Sequence, residues 1–330
     1  MLALVTGASG FLGGRIATLL LEKGYRVRVL ARRDVPPLAA LGAEIYQGDL
    51  ADFSSLERAT DAVDAVFHCA AKTGVWGPLA EYLETNVMGA ARVLESARQQ
   101  KASYFIYTSS PSVIHGGGDL RGVTEAAPYM ADTAQPYAYS KMLAERLVLR
   151  ANQPAFKTVA LRPHLIWGPG DPHLLPRLID RARRGRLFLF TGGPYLVDAT
   201  YIDNAAEAHI LALEKLVAGE PVGGMPFFIS QGQPMELTEL INRLIQTAGL
   251  GPVQPRVNKR LGRGLGWLLE KIWALRQANQ EPPLTLFTAR QLTSSHWYNL
   301  ERAKNLLGYQ PTVSFEEGLR RLAASWAEGK

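Results

Sequence analysis

Cysteine is almost missing from this chain. Cys69 is the only one in 330 residues, so no disulfide forms within the chain and no cysteine cluster holds a metal. It sits in the apolar run Ala65-Val66-Phe67-His68-Cys69-Ala70-Ala71, where a buried, inert thiol is expected. No uninterrupted apolar stretch approaches the ~20 residues needed to cross a bilayer. Met1 leads straight into Leu2-Ala3-Leu4-Val5 with no basic segment or cleavage pattern, so a cytoplasmic protein is expected. Zinc-finger spacings and basic tails are also lacking. The net charge of +6 therefore does not point to nucleic acid, and its cations are scattered apart from a stretch at 177–186. What remains, 47% apolar and 20% charged, is the composition of a folded chain with a sizeable core.

Short apolar runs alternate with helical patterns through the first half. Residues 2–5, 26–30, 44–47, 65–68 and 104–108 read as strands, and 13–23, 53–60, 85–99 and 136–150 as helices. A further strand at 158–162 ends at Pro163. This alternation predicts an α/β fold, a Rossmann doubly wound parallel sheet with helices on both faces. After Pro163 come the loop signals Gly168-Pro169-Gly170-Asp171-Pro172 and Gly192-Gly193-Pro194, with a basic helix between them. A helix at 204–217 and a strand at 227–230 return to the sheet, and the helix-rich remainder carries Trp267, Trp273 and Trp297. The expected division is a dinucleotide-binding domain of residues 1–163 and 196–230. A smaller, interleaved, mostly helical substrate-binding region takes 164–195 and 231–330.

The glycine motif Gly7-Ala8-Ser9-Gly10-Phe11-Leu12-Gly13 follows the first strand and opens a helix. Its glycines allow a tight turn and close approach of a pyrophosphate, and the helix N-terminus offers unpaired N–H groups. At the end of the second strand an NAD site usually has an acidic residue for the ribose 2′-hydroxyl. Here Ala31 is followed by Arg32 and Arg33, whose guanidinium groups suit a 2′-phosphate, so NADP(H) is the expected cofactor. Asp49 either accepts from an adenine amino group or caps the helix that starts near Phe53.

Tyr137 and Lys141 stand at i, i+4 and share one helix face. A nearby ammonium lowers a phenol's pKa, and Tyr137 can then pass a proton to or from a carbonyl oxygen. The hydroxyl completing the group comes from Tyr107-Thr108-Ser109-Ser110, at the C-terminal end of a strand, with Ser110 preferred over Ser109. No metal ligand set is expected.

Together with Gly48-Asp49-Leu50, Thr85-Asn86-Val87-Met88-Gly89 and Leu161-Arg162-Pro163, these motifs resemble the extended short-chain dehydrogenase/reductases over nearly the whole chain. The resemblance implies Ser110, Tyr137 and Lys141 as catalytic residues, with Asn86 supporting a water relay to Lys141. It also implies cofactor contacts from Gly7, Ser9, Gly10, Phe11, Leu12, Gly13, Leu50, Ala70, Ala71, Lys72, Tyr137, Lys141 and Pro163. The segments 70–77, 164–171 and 296–298 are most similar to one branch of that family. It joins 3β-hydroxysteroid dehydrogenase-like proteins with bacterial 2-alkyl-3-oxoalkanoate reductases of long-chain olefin synthesis.

That branch implies NADPH-dependent reduction of a long-chain β-keto acid. It also implies a homodimer through helices 85–99 and 136–150, and assembly with pathway enzymes. A steroid dehydrogenase, a nucleotide-sugar epimerase and a non-catalytic NADP-binding subunit are the alternatives. Trp76, Trp167, Trp267 and Trp297 either wall an apolar channel or fill a core. His164 is a candidate for a substrate carboxylate, and a structural role is preferred for it. Residues 261–277 form a basic amphipathic helix, and packing on the substrate region is preferred to a membrane contact or a lid.

Overall fold

Seven apolar segments assemble one parallel sheet in the computed structural model, which describes residues 1–130, 132–276 and 281–328. They are β1 (Leu2–Thr6), β2 (Arg26–Ala31), β3 (Glu44–Gln47), β4 (Ala65–His68), β5 (Tyr104–Thr108), β6 (Lys157–Pro163) and β7 (Met225–Ile229). Their order is β3-β2-β1-β4-β5-β6-β7, and every neighbouring pair is parallel. Chain order reverses between β1 and β4, which opens a crevice at their carboxyl ends.

Both sheet faces are covered, which is why the strands read as continuous apolar runs. The helices are α1 (Phe11–Glu22), α2 (Phe53–Thr60), α3 (Gly89–Gln99), α4 (Pro136–Arg150) and α5 (Ile202–Val217). Val5, Val29, Phe67 and Leu161 join Ile16 and Leu20 of α1 and Ile210 and Leu213 of α5 in one core. Leu4, Val66, Phe105 and Ala160 face the other way, onto Leu56 of α2, Val93 and Leu94 of α3 and Val148 of α4. Strand alternation thus sorts one sequence run into two cores. The helix predicted at 85–99 begins with a wide, π-type turn, Leu83–Met88, before α3 proper.

The domain division differs from the expected one. Leu120–Val123, assigned by sequence to the first domain, pairs in parallel with His296–Tyr298. That strand pairs with Leu196–Val197, which pairs with Met235–Glu236, giving a second, four-stranded sheet. Nor is the second region separately cored. Trp167, Leu175, Ile179, Phe190, Leu240 and Leu244 belong to the same apolar cluster as α1 and α5. A 17-residue helix, α6 (Lys259–Leu275), packs against Leu286–Gln291 and the strand pair Leu189–Thr191 and Pro255–Asn258. Gln277, the last residue of the predicted amphipathic helix, lies outside the described residues.

Candidate active site

A cleft of about 720 Å³ opens over the carboxyl ends of β1, β4, β5 and β6. Its floor is main chain. Gly7 has φ +72°, and a Cβ there would lie 2.6 Å from the Ala70 nitrogen. A Cβ at Gly13 would lie 2.5 Å from the Gly7 carbonyl oxygen. Any larger residue would push the loop off the end of β4. No side chain caps α1 at Gly10, and Gly10, Phe11, Leu12 and Gly13 all line the cleft. First-turn amides have no acceptor within their own helix, so this edge presents donors and a positive dipole to an anion.

Ser9, Arg32, Asp49, Leu50, Ala70, Ala71, Lys72 and Pro163 line the same cleft. Arg33, in the same bend after β2, does not. Asp49 is not the helix cap. Its carboxylate accepts from the Ala51 N–H at 2.9 Å, while Asp52 caps α2 by accepting from the Ser54 N–H at 3.1 Å. Arg92 of α3, paired with Glu84 at 2.7 Å, is a further cation in the lining. Nothing in its sequence context marks it.

Pro136 at the start of α4 fixes where that helix begins, and hence where Tyr137 and Lys141 point. Both line the cleft with Thr108, Ser109 and Ser110. Lys141 is 2% exposed. Its Nζ donates to the Thr108 carbonyl oxygen and stands 4.2 Å from the centre of the Tyr107 ring. Burial pulls the Lys141 ammonium down to about 7, against smaller opposing pulls from Cys69 and Glu145.

Tyr137 is shifted up instead: burial dominates, its hydrogen bond with Ser110 pulls down, and neighbouring Tyr82 pushes up. Lys141, expected to draw this phenol down, is not among the groups that move it. Ser110 Oγ also accepts from the Ser112 N–H and hydroxyl, at 3.2 and 3.0 Å. The Ser109 hydroxyl is buried with no partner, so Ser110 is the serine engaged with Tyr137.

Asn86 does not touch Lys141. Its Oδ1 accepts from the Lys72 N–H at 2.7 Å, and its Nδ2 donates to the Lys72 carbonyl at 3.1 Å and Ser140 Oγ at 2.8 Å. Ser140 in turn donates to the Tyr137 carbonyl at 2.9 Å. Asn86 thus ties the loop at Lys72 to α4. Glu145, one turn beyond Lys141, holds α4 to β6. It accepts from Arg162 Nε at 3.0 Å and from the Tyr129 hydroxyl at 2.7 Å, and both members of the ion pair are buried.

The opposite wall is formed by Leu165, Ile166, Asp171, His173 and Leu174. Asp171 is spent on structure, accepting from the His173, Leu174 and Leu175 N–H groups at the start of Leu174–Arg183. His164 faces away from the cleft. Its Nδ1 donates to the Asp198 carbonyl, and its Nε2 lies 3.2 Å from His296 Nδ1. No tryptophan lines the cleft either. Trp167 is fully buried between Tyr201 and Phe315, and Trp267 is exposed. Aliphatic side chains that the sequence did not single out stand where a tryptophan wall was considered.

The 3-beta hydroxysteroid dehydrogenase/isomerase family model matches residues 4–257. The 2-alkyl-3-oxoalkanoate reductase of Stenotrophomonas maltophilia (strain K279a) is 45% identical, over 99% of this chain and 100% of that one. The decarboxylating sterol-4-alpha-carboxylate 3-dehydrogenase of Mus musculus is 33% identical, over 98% of this chain and 90% of that one. Among solved structures, MoeE5 in complex with UDP-glucose and NAD matches with a TM-score of 0.75 and 25% identity, over 99% of each chain.

Proposed function

Because the chain belongs to the 3-beta hydroxysteroid dehydrogenase/isomerase family and is an oxidoreductase acting on CH–OH and C=O groups, we propose a specific reaction for it. It reduces a long-chain 2-alkyl-3-oxoalkanoate to the 2-alkyl-3-hydroxyalkanoate, with NADPH, in olefin biosynthesis. The observation that carries this reading is the 45% identity, end to end, with a reductase of that name. The mouse relative's name places a carboxylate on the carbon next to the one oxidised, the same β-oxygenated acid unit on a sterol. A shared need for that unit favours an acid substrate over a plain ketone.

A nicotinamide dinucleotide fits the cradle at Gly7 and Gly13, where a Cβ would collide with Ala70 and with the Gly7 carbonyl respectively. Arg32 in the lining, without an acidic residue at position 31, supports NADPH over NADH. When bound, the reduced dinucleotide supplies the hydride. Tyr137 gives its phenolic proton to the carbonyl oxygen, and burial, which keeps that phenol protonated, suits the reductive direction. Ser110 Oγ binds the same oxygen and orients Tyr137. Lys141, anchored to the Thr108 carbonyl, sets the electrostatics beneath them. Oxidation needs the phenolate, so its rate rises with pH.

The reading includes a homodimer through α3 and α4, checked by light scattering. The assay that tests the chemistry follows NADP⁺ reduction by a 2-alkyl-3-hydroxy acid beside a 3β-hydroxysteroid. Turnover of the hydroxy acid is expected. Turnover of the steroid alone would move the substrate to the sterol side of the family.

A further inference from the structure

Helix α6 meets the rest of the protein through its glycines. A Cβ at Gly262 would lie 2.0 Å from the Phe190 ring, and one at Gly266 2.8 Å from the Thr285 carbonyl oxygen. Four of its five leucines are turned out, where packing on the substrate region was expected. Leu261 is 71% exposed, Leu265 49%, Leu268 48% and Leu275 84%. Together with half-buried Ile272 they are spaced by four, three, four and three residues. At ~100° per residue that spacing confines them to a stripe about 80° wide.

The flanks of the stripe are cationic. Residues 259–276 contain five Lys or Arg and one acid, Glu270, which accepts from the Leu286 N–H at 2.8 Å on the packed side. Arg260, Lys271 and Arg276 are exposed and have no ion-pair partner among the described residues. The same holds for Arg183 and Arg186, which precede Phe188, 58% exposed and two residues from the Phe190 ring under Gly262. Among the described residues no helix is long and apolar enough to cross a membrane.

We propose that α6 lies in the plane of a lipid surface carrying anionic headgroups. The Leu261, Leu265, Leu268, Ile272 and Leu275 stripe enters the acyl boundary, and Arg260, Lys271 and Arg276 sit at phosphate level. Charge decides between this occupant and a second copy of the chain. Pairing α6 with itself would bring the same unpaired cations together along one seam, whereas an anionic surface neutralises them. The placement also matters for the cleft. Glu281, just beyond α6, pairs with Arg177 at 3.3 Å on the helix Leu174–Arg183, whose Leu174 lines the cleft. A helix held at the lipid surface therefore keeps the apolar wall of the cleft close to it. The proposal stands apart from the substrate assignment, since it concerns only this face.

The test is sedimentation of the whole protein with phosphatidylcholine vesicles, with and without phosphatidylglycerol, at low and high salt. The wild type is expected to bind the phosphatidylglycerol vesicles and to be released by salt. The triple substitution Leu261→Asp, Leu265→Asp, Leu268→Asp is expected to lower binding by on the order of tenfold or more. Arg260→Gln with Lys271→Gln and Arg276→Gln should weaken binding to anionic vesicles alone, with NADPH affinity unchanged in both variants. Absence of vesicle binding by the wild type would overturn the proposal, as would equal binding by the Asp variant. A third overturning result is a wild-type assembly that the Asp variant splits into smaller species without any lipid binding, which would make the face a protein interface.

Discussion

On the side of the cleft proposed for the cofactor the floor is main chain, held at Gly7 and Gly13 by contacts too close for a Cβ. On the side proposed for the substrate the wall is Leu165, Ile166 and Leu174, carried by the short strand Ile166–Trp167 with the residue before it and by the helix Leu174–Arg183, outside the seven-stranded sheet. The second region that supports them is joined to the first by buried polar groups as well as by shared core. Asn204 of α5 donates to the Val313 carbonyl at 2.8 Å and accepts the Val313 N–H at 2.9 Å. Asp198 accepts from Ser230 Oγ at 2.6 Å and the Gly232 N–H at 2.8 Å, while the Tyr309 hydroxyl donates to the Ser230 carbonyl at 3.0 Å. Apolar packing tolerates sliding, but hydrogen bonds of this kind admit one register. One side thus holds the main-chain floor, and the other fixes where the aliphatic wall stands.

The strongest way to break this division is at its chemical edge. Tyr137→Phe removes one hydroxyl from the cleft and nothing from the cradle. A loss of about a thousandfold in turnover is expected, with NADPH binding nearly unchanged by fluorescence titration. Comparable turnover would take Tyr137 out of the reaction. The next largest effect lies at the joint. Asn204→Ala leaves the Val313 N–H without its partner and weakens the hold on its carbonyl, and should cost about 3 kcal/mol in urea denaturation. A cost no larger than that of a surface substitution would mean that packing alone joins the two regions.

The same contrast governs what could be read from the sequence. Strands 44–47, 65–68 and 104–108 and helices 53–60 and 136–150 are predicted with the observed bounds. Two-sided burial leaves unbroken apolar runs, and Pro136 marks a helix start. The Gly7 and Gly13 contacts are legible because only glycine fits them. The turn Leu83–Met88 is not, since a widened turn barely disturbs apolar spacing. Leu120–Val123 escapes because its partner strand, His296–Tyr298, is remote in the chain and both are short. For His164 and the tryptophans two roles stay open in the sequence, with the structural one preferred, because composition names a side chain's chemistry but not the direction in which it points. Helix α6 is the clearest instance. Its periodicity was visible, yet the buried face belongs to Gly262 and Gly266.

Arg32→Ala sharpens the cofactor side. A guanidinium on a 2′-phosphate contributes a charge-assisted bond that NADH cannot make. NADPH should weaken by roughly tenfold to a hundredfold, with NADH barely affected. Equal losses for the two dinucleotides would mean that Arg32 acts only as general positive charge. Arg33→Ala, outside the cleft, is the matched control.

The smallest expected effect has the opposite sign, and it separates what the site needs from what the fold needs. Lys141 has a folded-state value of about 7 against an ordinary 10.5, so the folded protein disfavours its charge. Below pH 7 the ammonium is charged in both the folded and unfolded chain, and the full penalty applies. Between 7 and 10.5 the unfolded chain binds more protons than the folded one, so stability rises with pH across that window. Lys141→Met removes the penalty but also the bond to the Thr108 carbonyl and the contact over Tyr107. A net gain on the order of 1 kcal/mol is expected at pH 7, shrinking as pH approaches 10, while turnover falls. Thermal denaturation of both proteins at several pH values measures it. A variant less stable than the wild type at pH 7, or a difference that ignores pH, would show that Lys141 supports the fold and is not a strained group kept for the reaction.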